Sequence, residues 1–157
     1  MNIPRLSAIL LASSVLASAL TKEDLIGTWT LKSAWSIAAD GSRTPMWGER
    51  PIGFLTYTPE GRMMALLGDS ERKRLSGDRQ TAPLEERAEA LAKFLAYGGP
   101  FTIDGDKIVH HVDIASYQNY VGTKQVRYAQ LEGTRLTLSV RRADGSMSGI
   151  LTWERLK

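Results

Sequence analysis

GFLTYTPEGRMMALL, residues Gly53 to Leu67, reads as two apolar runs folded back on a turn. Leu55 and Tyr57 share one side of the first run, and Met63, Ala65 and Leu67 share one side of the second, which is the two-residue period of a β-strand facing a core. Phe54 and Met64, on the opposite sides, are apolar too. Between the runs, Pro59-Glu60-Gly61-Arg62 places glycine where a tight hairpin needs positive φ. The stretch therefore predicts antiparallel strands over Gly53–Thr58 and Met63–Leu67.

The same punctuation recurs in both directions along the chain, as ADGS (39–42), DGDK (104–107), EGTR (132–135) and ADGS (143–146). These turns separate alternating, β-branched and aromatic runs that predict further strands at Leu25–Ile37, Phe101–Ile103, Lys107–Ser116, Lys124–Leu131, Arg135–Val140 and Gly149–Arg155. The resulting expectation is an all-β chain of eight antiparallel strands, which hides its sheet edges most simply by closing into a barrel. One segment breaks the rhythm. PLEERAEALAKFLAYGG carries Pro83 at a helical first position, Glu85 and Glu86 in the first turn, and Leu84, Ala88, Leu91 and Leu95 on one face, with Gly98-Gly99 as a stop. It predicts one inserted α-helix of about four turns between the third and fourth predicted strands. Either its apolar face packs on the barrel end or it forms a lid, in which case Phe94 and Tyr97 reach a ligand.

Strand alternation assigns faces to the residues that carry chemistry. On the first strand Trp29, Leu31, Trp35 and Ile37 point inward, with Ser33 among them. The two histidines are adjacent, so they point to opposite sides of their strand. Ile108, His110, Val112 and Ile114 form the more apolar set and are assigned inward, which leaves His111 outside beside Asp113. For His110, a satisfied or ligand-orienting core role and a general acid or base role both stand. With Leu131 inside, Gln125 and Arg127 are inside as well. An enclosed arginine keeps its charge and must stack on an aromatic ring such as Trp29, meet backbone carbonyls, or bind an anionic or carbonyl group of a ligand.

Composition narrows the classes. The chain has 157 residues, 43% of them hydrophobic, and no cysteine, so disulfides, thiolate metal sites and cysteine nucleophiles are excluded. Its two histidines cannot both bind one metal from adjacent strand positions, and no metal site is expected. Lys and Arg number 20 against 17 Asp and Glu, scattered rather than clustered, which argues against a nucleic-acid surface. No phosphate-binding loop, nucleotide fingerprint or serine nucleophile elbow is present, so no cofactor is expected. The segment MNIPRLSAILLASSVLASA has a basic residue at Arg5, an apolar stretch over 6–16 and a small-x-small Ala17-Ser18-Ala19. It predicts a secretory signal peptide over residues 1–19, a mature domain over 20–157, and a secreted or periplasmic location with no membrane attachment after cleavage.

LIGTWTL (25–31) contains a Gly-x-Trp; with GFLTYTPEGRMMALL (53–67), FLAYGGPFTIDGDKIVHHVDIASYQNYVGTKQVRYAQLEGTRLTLS (94–139) and the closing LTWER (151–155), it resembles the lipocalin-like domain family of bacteria and fungi over residues 24–156. Gln118 departs from the proline expected there. The resemblance implies an antiparallel calycin-type barrel with one inserted helix and a cavity for a small, largely apolar molecule. Members often occur beside natural-product enzymes, which points to polyketide-like or terpenoid-like ligands. Trp29, Trp35, Tyr57, Met63, Phe94, Tyr97, His110, Gln125 and Arg127 are the candidate ligand-binding residues. Two function classes follow. One is a carrier whose aromatic and methionine lining supplies affinity while His110, Gln125 and Arg127 orient the ligand. The other is a cofactor-free isomerase, cyclase or dehydratase in which His110 moves a proton and Arg127, with Tyr57, stabilises an enolate or carbonyl oxygen. The oligomeric state is left open.

Overall fold

The structure, a computed structural model, describes residues 19–157; of the predicted signal segment over 1–19, residues 1–18 lie outside the described residues. A short helix α1 (Lys22–Leu25) leads into β1 (Gly27–Ile37), followed by β2 (Arg43–Pro45), β3 (Pro51–Tyr57), β4 (Arg62–Asp69), α2 (Leu84–Ala92), β5 (Phe94–Asp104), β6 (Lys107–His111), β7 (Ile114–Ala115), β8 (Lys124–Glu132), β9 (Arg135–Arg141) and β10 (Met147–Arg155). The strands run β10-β9-β8-β6-β5-β4-β3-β1 through the sheet, and β1 pairs back onto β10. Eight antiparallel strands thus close a barrel, with β2 appended to β1 and β7 to β5. Closure leaves no long edge exposed to other chains.

The opening hairpin folds as its alternation requires. Tyr57 pairs with Met63 and Leu55 with Ala65 in one antiparallel register. Their side chains, with Trp29, Leu31, Leu67, Tyr97, Phe101, Ile108, Leu136, Leu138 and Trp153, form one buried cluster. Each large apolar side chain so buried contributes about 1.5–3 kcal/mol, which makes the barrel's inner face the main source of stability.

Several local expectations are corrected. The helix ends at Ala92, and Phe94 to Gly99 belong to β5, where Phe94 pairs with Gly68 and Gly99 with Met63. Pairing with β4 outweighs helical spacing here. Gly98-Gly99 is no helix stop: a Cβ on Gly99 would stand 1.9 Å from the His111 carbonyl oxygen, so the glycine lets β5 press against the end of β6. Pro83 precedes the helix instead of opening it, and no residue of α2 is buried; Leu91 is 56% exposed, so the apolar face is not packed on the barrel.

Leu25 lies in α1 and not in the first strand. On β1 the register against β10 shifts between Leu31 and Ser33, after which Ala34 is buried and Trp35 only half-buried. The bulge takes Trp35 out of phase with Trp29 and Leu31. The predicted strand from Lys107 to Ser116 breaks after His111 and resumes as β7, which pairs with β5 instead of β8. Ile114 therefore points outward, 69% exposed.

Candidate functional site

Four strands bring four polar side chains to the middle of the barrel. Tyr57 comes from the end of β3 and Tyr97 from β5. His110 lies on β6, opposite Phe101 on one side and Gln125 on the other, and Arg127 comes from β8. Each occupies an inward position of its strand. The Tyr57 hydroxyl lies 2.8 Å from His110 Nε2, and the Tyr97 hydroxyl 3.1 Å from His110 Nδ1. Both ring nitrogens are therefore engaged. Tyr57 also meets Phe101 edge-on at 4.8 Å between ring centroids. Tyr97 continues outward in edge-to-face contacts, first with Tyr120 at 5.9 Å and then through it with Tyr117 at 5.3 Å.

Electrostatics fixes the protonation of this group. Burial, helped by the Arg127 charge and by His111, pushes the His110 imidazole well below its usual value, so it is neutral at pH 7. Burial raises Tyr57 well above the usual phenol value, with Tyr97 adding and Arg127 opposing. Tyr97 is raised by burial too, against the pull of the Arg127 guanidinium beside it. Arg127 keeps its charge. The centre is thus two neutral phenols, a neutral imidazole and one cation.

Counting protons shows what this arrangement can bind. Tyr57, His110 and Tyr97 each carry one polar hydrogen, and the two hydrogen bonds between them use two. The third is free to donate, from Tyr57 or from Tyr97 according to which histidine nitrogen is protonated. Arg127 brings five donors and meets few acceptors: Nη1 donates to the Val126 carbonyl at 3.0 Å, and Nη2 reaches Gln125 Oε1 only at 3.5 Å. Gln125 is held in turn by donation from its amide to Thr123 Oγ1 at 2.9 Å. The centre is rich in donors and poor in acceptors, which suits a ligand oxygen.

The candidate residues divide accordingly. Trp29, Tyr57, Met63, Tyr97, His110, Gln125 and Arg127 belong to the inner face or its rim, and His110 and Tyr57 are only 1% exposed. Phe94 points outward, with the Arg72 guanidinium 4.8 Å over its ring, and lines a surface groove of about 420 Å³ with Trp47, Leu91, Leu95 and Tyr117. Trp35 is displaced by the bulge described above. His111 is outside, but its Nε2 lies 2.9 Å from Thr102 Oγ1, while Asp113 pairs with Arg62 at 2.6 Å. The guanidinium over the Trp29 ring belongs to Arg155, not Arg127, with its carbon 4.1 Å from the ring centroid. Sequence reasoning overlooked Arg155, although its place beside Trp153 on the closing strand was a signal. Among the described residues, no three His, Cys, Asp or Glu side chains come together as a metal-ligating group.

Residues 26–156 match the family model of the lipocalin-like domain. The chain belongs to that family. Among curated proteins, this lipocalin-like chain is similar to the 4'-hydroxy-3'-methoxypropiophenone carrier protein ppsC of Aspergillus oryzae, at 35% identity over 85 residues, which is 46% of this chain and 76% of the relative. Among solved structures it is similar to a lipocalin-like protein from Bacteroides uniformis, at 16% identity and a TM-score of 0.46, covering 85% of this chain and 99% of the other. A variant of the fluorescent protein UnaG aligns at 13% identity and a TM-score of 0.41, over 86% of this chain and 98% of the other.

Proposed function

We propose that the mature lipocalin-like domain, residues 20–157, is a carrier that encloses a small, largely apolar molecule bearing an oxygen acceptor. The observation that carries this reading is Arg127, 9% exposed and short of acceptors beside the spare hydroxyl proton of the Tyr57–His110–Tyr97 group. Around it the inner face is aromatic, aliphatic and methionine-lined, which supplies affinity without specificity. The carrier role of the Aspergillus oryzae relative, whose name describes an aryl ketone as cargo, supports the same class of ligand, and natural-product metabolites of polyketide-like or terpenoid-like build fit it. The described conformation is closed over the site. Ligand reaches it past Tyr120 and Tyr117, whose rings lead from Tyr97 to the surface.

An enzyme of the isomerase or dehydratase kind needs an imidazole that can meet its substrate. Here both His110 nitrogens are held by tyrosines, and a carrier needs no such freedom. Residues 1–19 direct the chain to the secretory route, giving a periplasmic or extracellular protein.

Titration of the purified domain with a panel of phenyl alkyl ketones, followed by the emission of the buried Trp29 and Trp153, tests the carrier reading. Saturable quenching with micromolar affinity is the expected result, and no saturable change up to millimolar ketone overturns it. Intact-mass measurement of the exported protein should give a chain beginning at Leu20; a retained leader overturns the secretory assignment.

A further inference from the structure

Resting on the carrier reading, we infer that the barrel takes its ligand as an oxyanion, a phenolate, enolate or carboxylate seated against Arg127, in preference to the neutral form of the same molecule.

The argument begins with a missing counter-charge. Arg127 is nine-tenths buried, yet among the described residues no carboxylate oxygen lies within 4 Å of it; the five ion pairs there are formed by Arg50, Arg62, Lys93 and Lys107 on the exterior. A buried guanidinium without an anion is costly, and hydrogen bonds to neutral acceptors offset only part of that cost. Its acceptors are all neutral: the Val126 carbonyl, Gln125 Oε1 at 3.5 Å, and the Tyr97 hydroxyl beside it. The titratable groups facing it are Tyr57 from β3, Tyr97 from β5 and His110 from β6, and none supplies negative charge at neutral pH. Asp69, the one buried carboxylate among the described residues, lies at the far end of β4, where Lys93 and the Glu71 backbone amide take its oxygens.

An incoming oxyanion completes this set. It supplies the charge Arg127 lacks, and it accepts the spare proton of the tyrosine–histidine group through the Tyr97 hydroxyl, which then takes its other hydrogen bond from His110 Nδ1–H. Binding therefore selects one tautomer of His110. A neutral ketone or ether accepts the same hydrogen bonds but leaves the charge uncompensated, so the site discriminates between two protonation states of one molecule.

The test uses 4-nitrophenol, whose phenol and phenolate forms absorb at different wavelengths, and 4-nitroanisole, in which the same oxygen is methylated. On wild-type protein, the apparent pKa of bound 4-nitrophenol should fall by at least one unit, equivalent to tenfold tighter binding of the phenolate, and 4-nitroanisole should bind at least tenfold more weakly than the phenolate. In Arg127→Met the shift should vanish, and in Arg127→Lys part of it should return. A bound dye that titrates where the free dye does, or a shift that survives in Arg127→Met, overturns the inference. Equal affinity for 4-nitroanisole and the phenolate overturns it too while leaving the carrier reading intact; absence of saturable binding by either compound up to millimolar overturns both. The wild-type comparison decides the matter by itself if the methionine variant fails to fold.

Discussion

The barrel holds two arginines against its inner structure, one at its end and one at its centre, and they are treated differently. Arg155 stacks on Trp29, donates through Nη1 to the Ile26 carbonyl at 2.6 Å, and reaches the Asp24 carbonyl with Nη2. Gly27 makes room for it: a Cβ there would stand 3.0 Å from Nη1. Trp29 in turn donates through Nε1 to the Leu25 carbonyl at 2.9 Å, so ring, guanidinium and the α1 turn seal that end as one unit. Among the described residues, Arg127 has no aromatic ring over it, and its second side-chain acceptor, Gln125 Oε1, stands at 3.5 Å. The difference teaches that the surroundings, not the residue type, decide whether an arginine's donors are spent on the fold. A cation whose acceptors are supplied by the chain holds the fold together, and a cation left short of them is available to a ligand.

Substitution turns that contrast into numbers. Arg155→Ala should cost about 2–3 kcal/mol of unfolding free energy, because it removes the cation–π contact and leaves two carbonyls without their donor, while ligand affinity in the folded fraction stays within twofold. Urea denaturation measures the first and fluorescence titration the second. The centre should respond to acid. His110 is depressed in the folded state, so its contribution to stability is complete above its unfolded value of about 6.5 and is lost as pH falls below it. Between pH 6.5 and 5.5 unfolding free energy should drop by up to about 1.4 kcal/mol, and His110→Gln, which keeps a donor and an acceptor for the two tyrosines, should flatten that slope. Arg127→Met should leave stability unchanged or raise it by about 1 kcal/mol, since a poorly compensated buried charge is replaced by an apolar chain of similar length, while ketone affinity falls at least tenfold. A large loss of stability in that variant would make Arg127 a second Arg155. The smallest effect belongs to the exterior: His111→Gln should change unfolding free energy by less than about 0.5 kcal/mol and ligand affinity not at all.

Much of this organisation was legible in the sequence, for reasons that differ from element to element. The closed barrel followed from turns and alternation, because a period of two and a glycine at each reversal are local properties. Placing Tyr57, His110 and Arg127 inside followed from the same alternation. Their partners did not: the contact between Tyr57 and His110 joins residues on β3 and β6, and only the curvature of the closed sheet makes them neighbours. Phase errors arose where alternation is interrupted. The bulge on β1 displaced Trp35 and the break after His111 turned Ile114 outward, since an extra or unpaired residue shifts the phase of the side chains next to it, although Ile37 and Val112 stay buried. The helix was overextended because Leu91 and Leu95 keep helical spacing across a boundary that is set by pairing with β4.

The seam between β1 and β10 carries a consequence for how the molecule comes into being. Trp29 opposes Arg155 and Leu31 opposes Trp153, so contacts that finish the barrel join residues more than a hundred positions apart. Loop closure over that span must precede its reward, which slows folding relative to a chain of local contacts. A nascent chain lacking its last strand has Trp29 without its cation and a sheet with two open edges. The barrel's completion therefore waits on β10, and the interior is enclosed only once that strand has paired with β1.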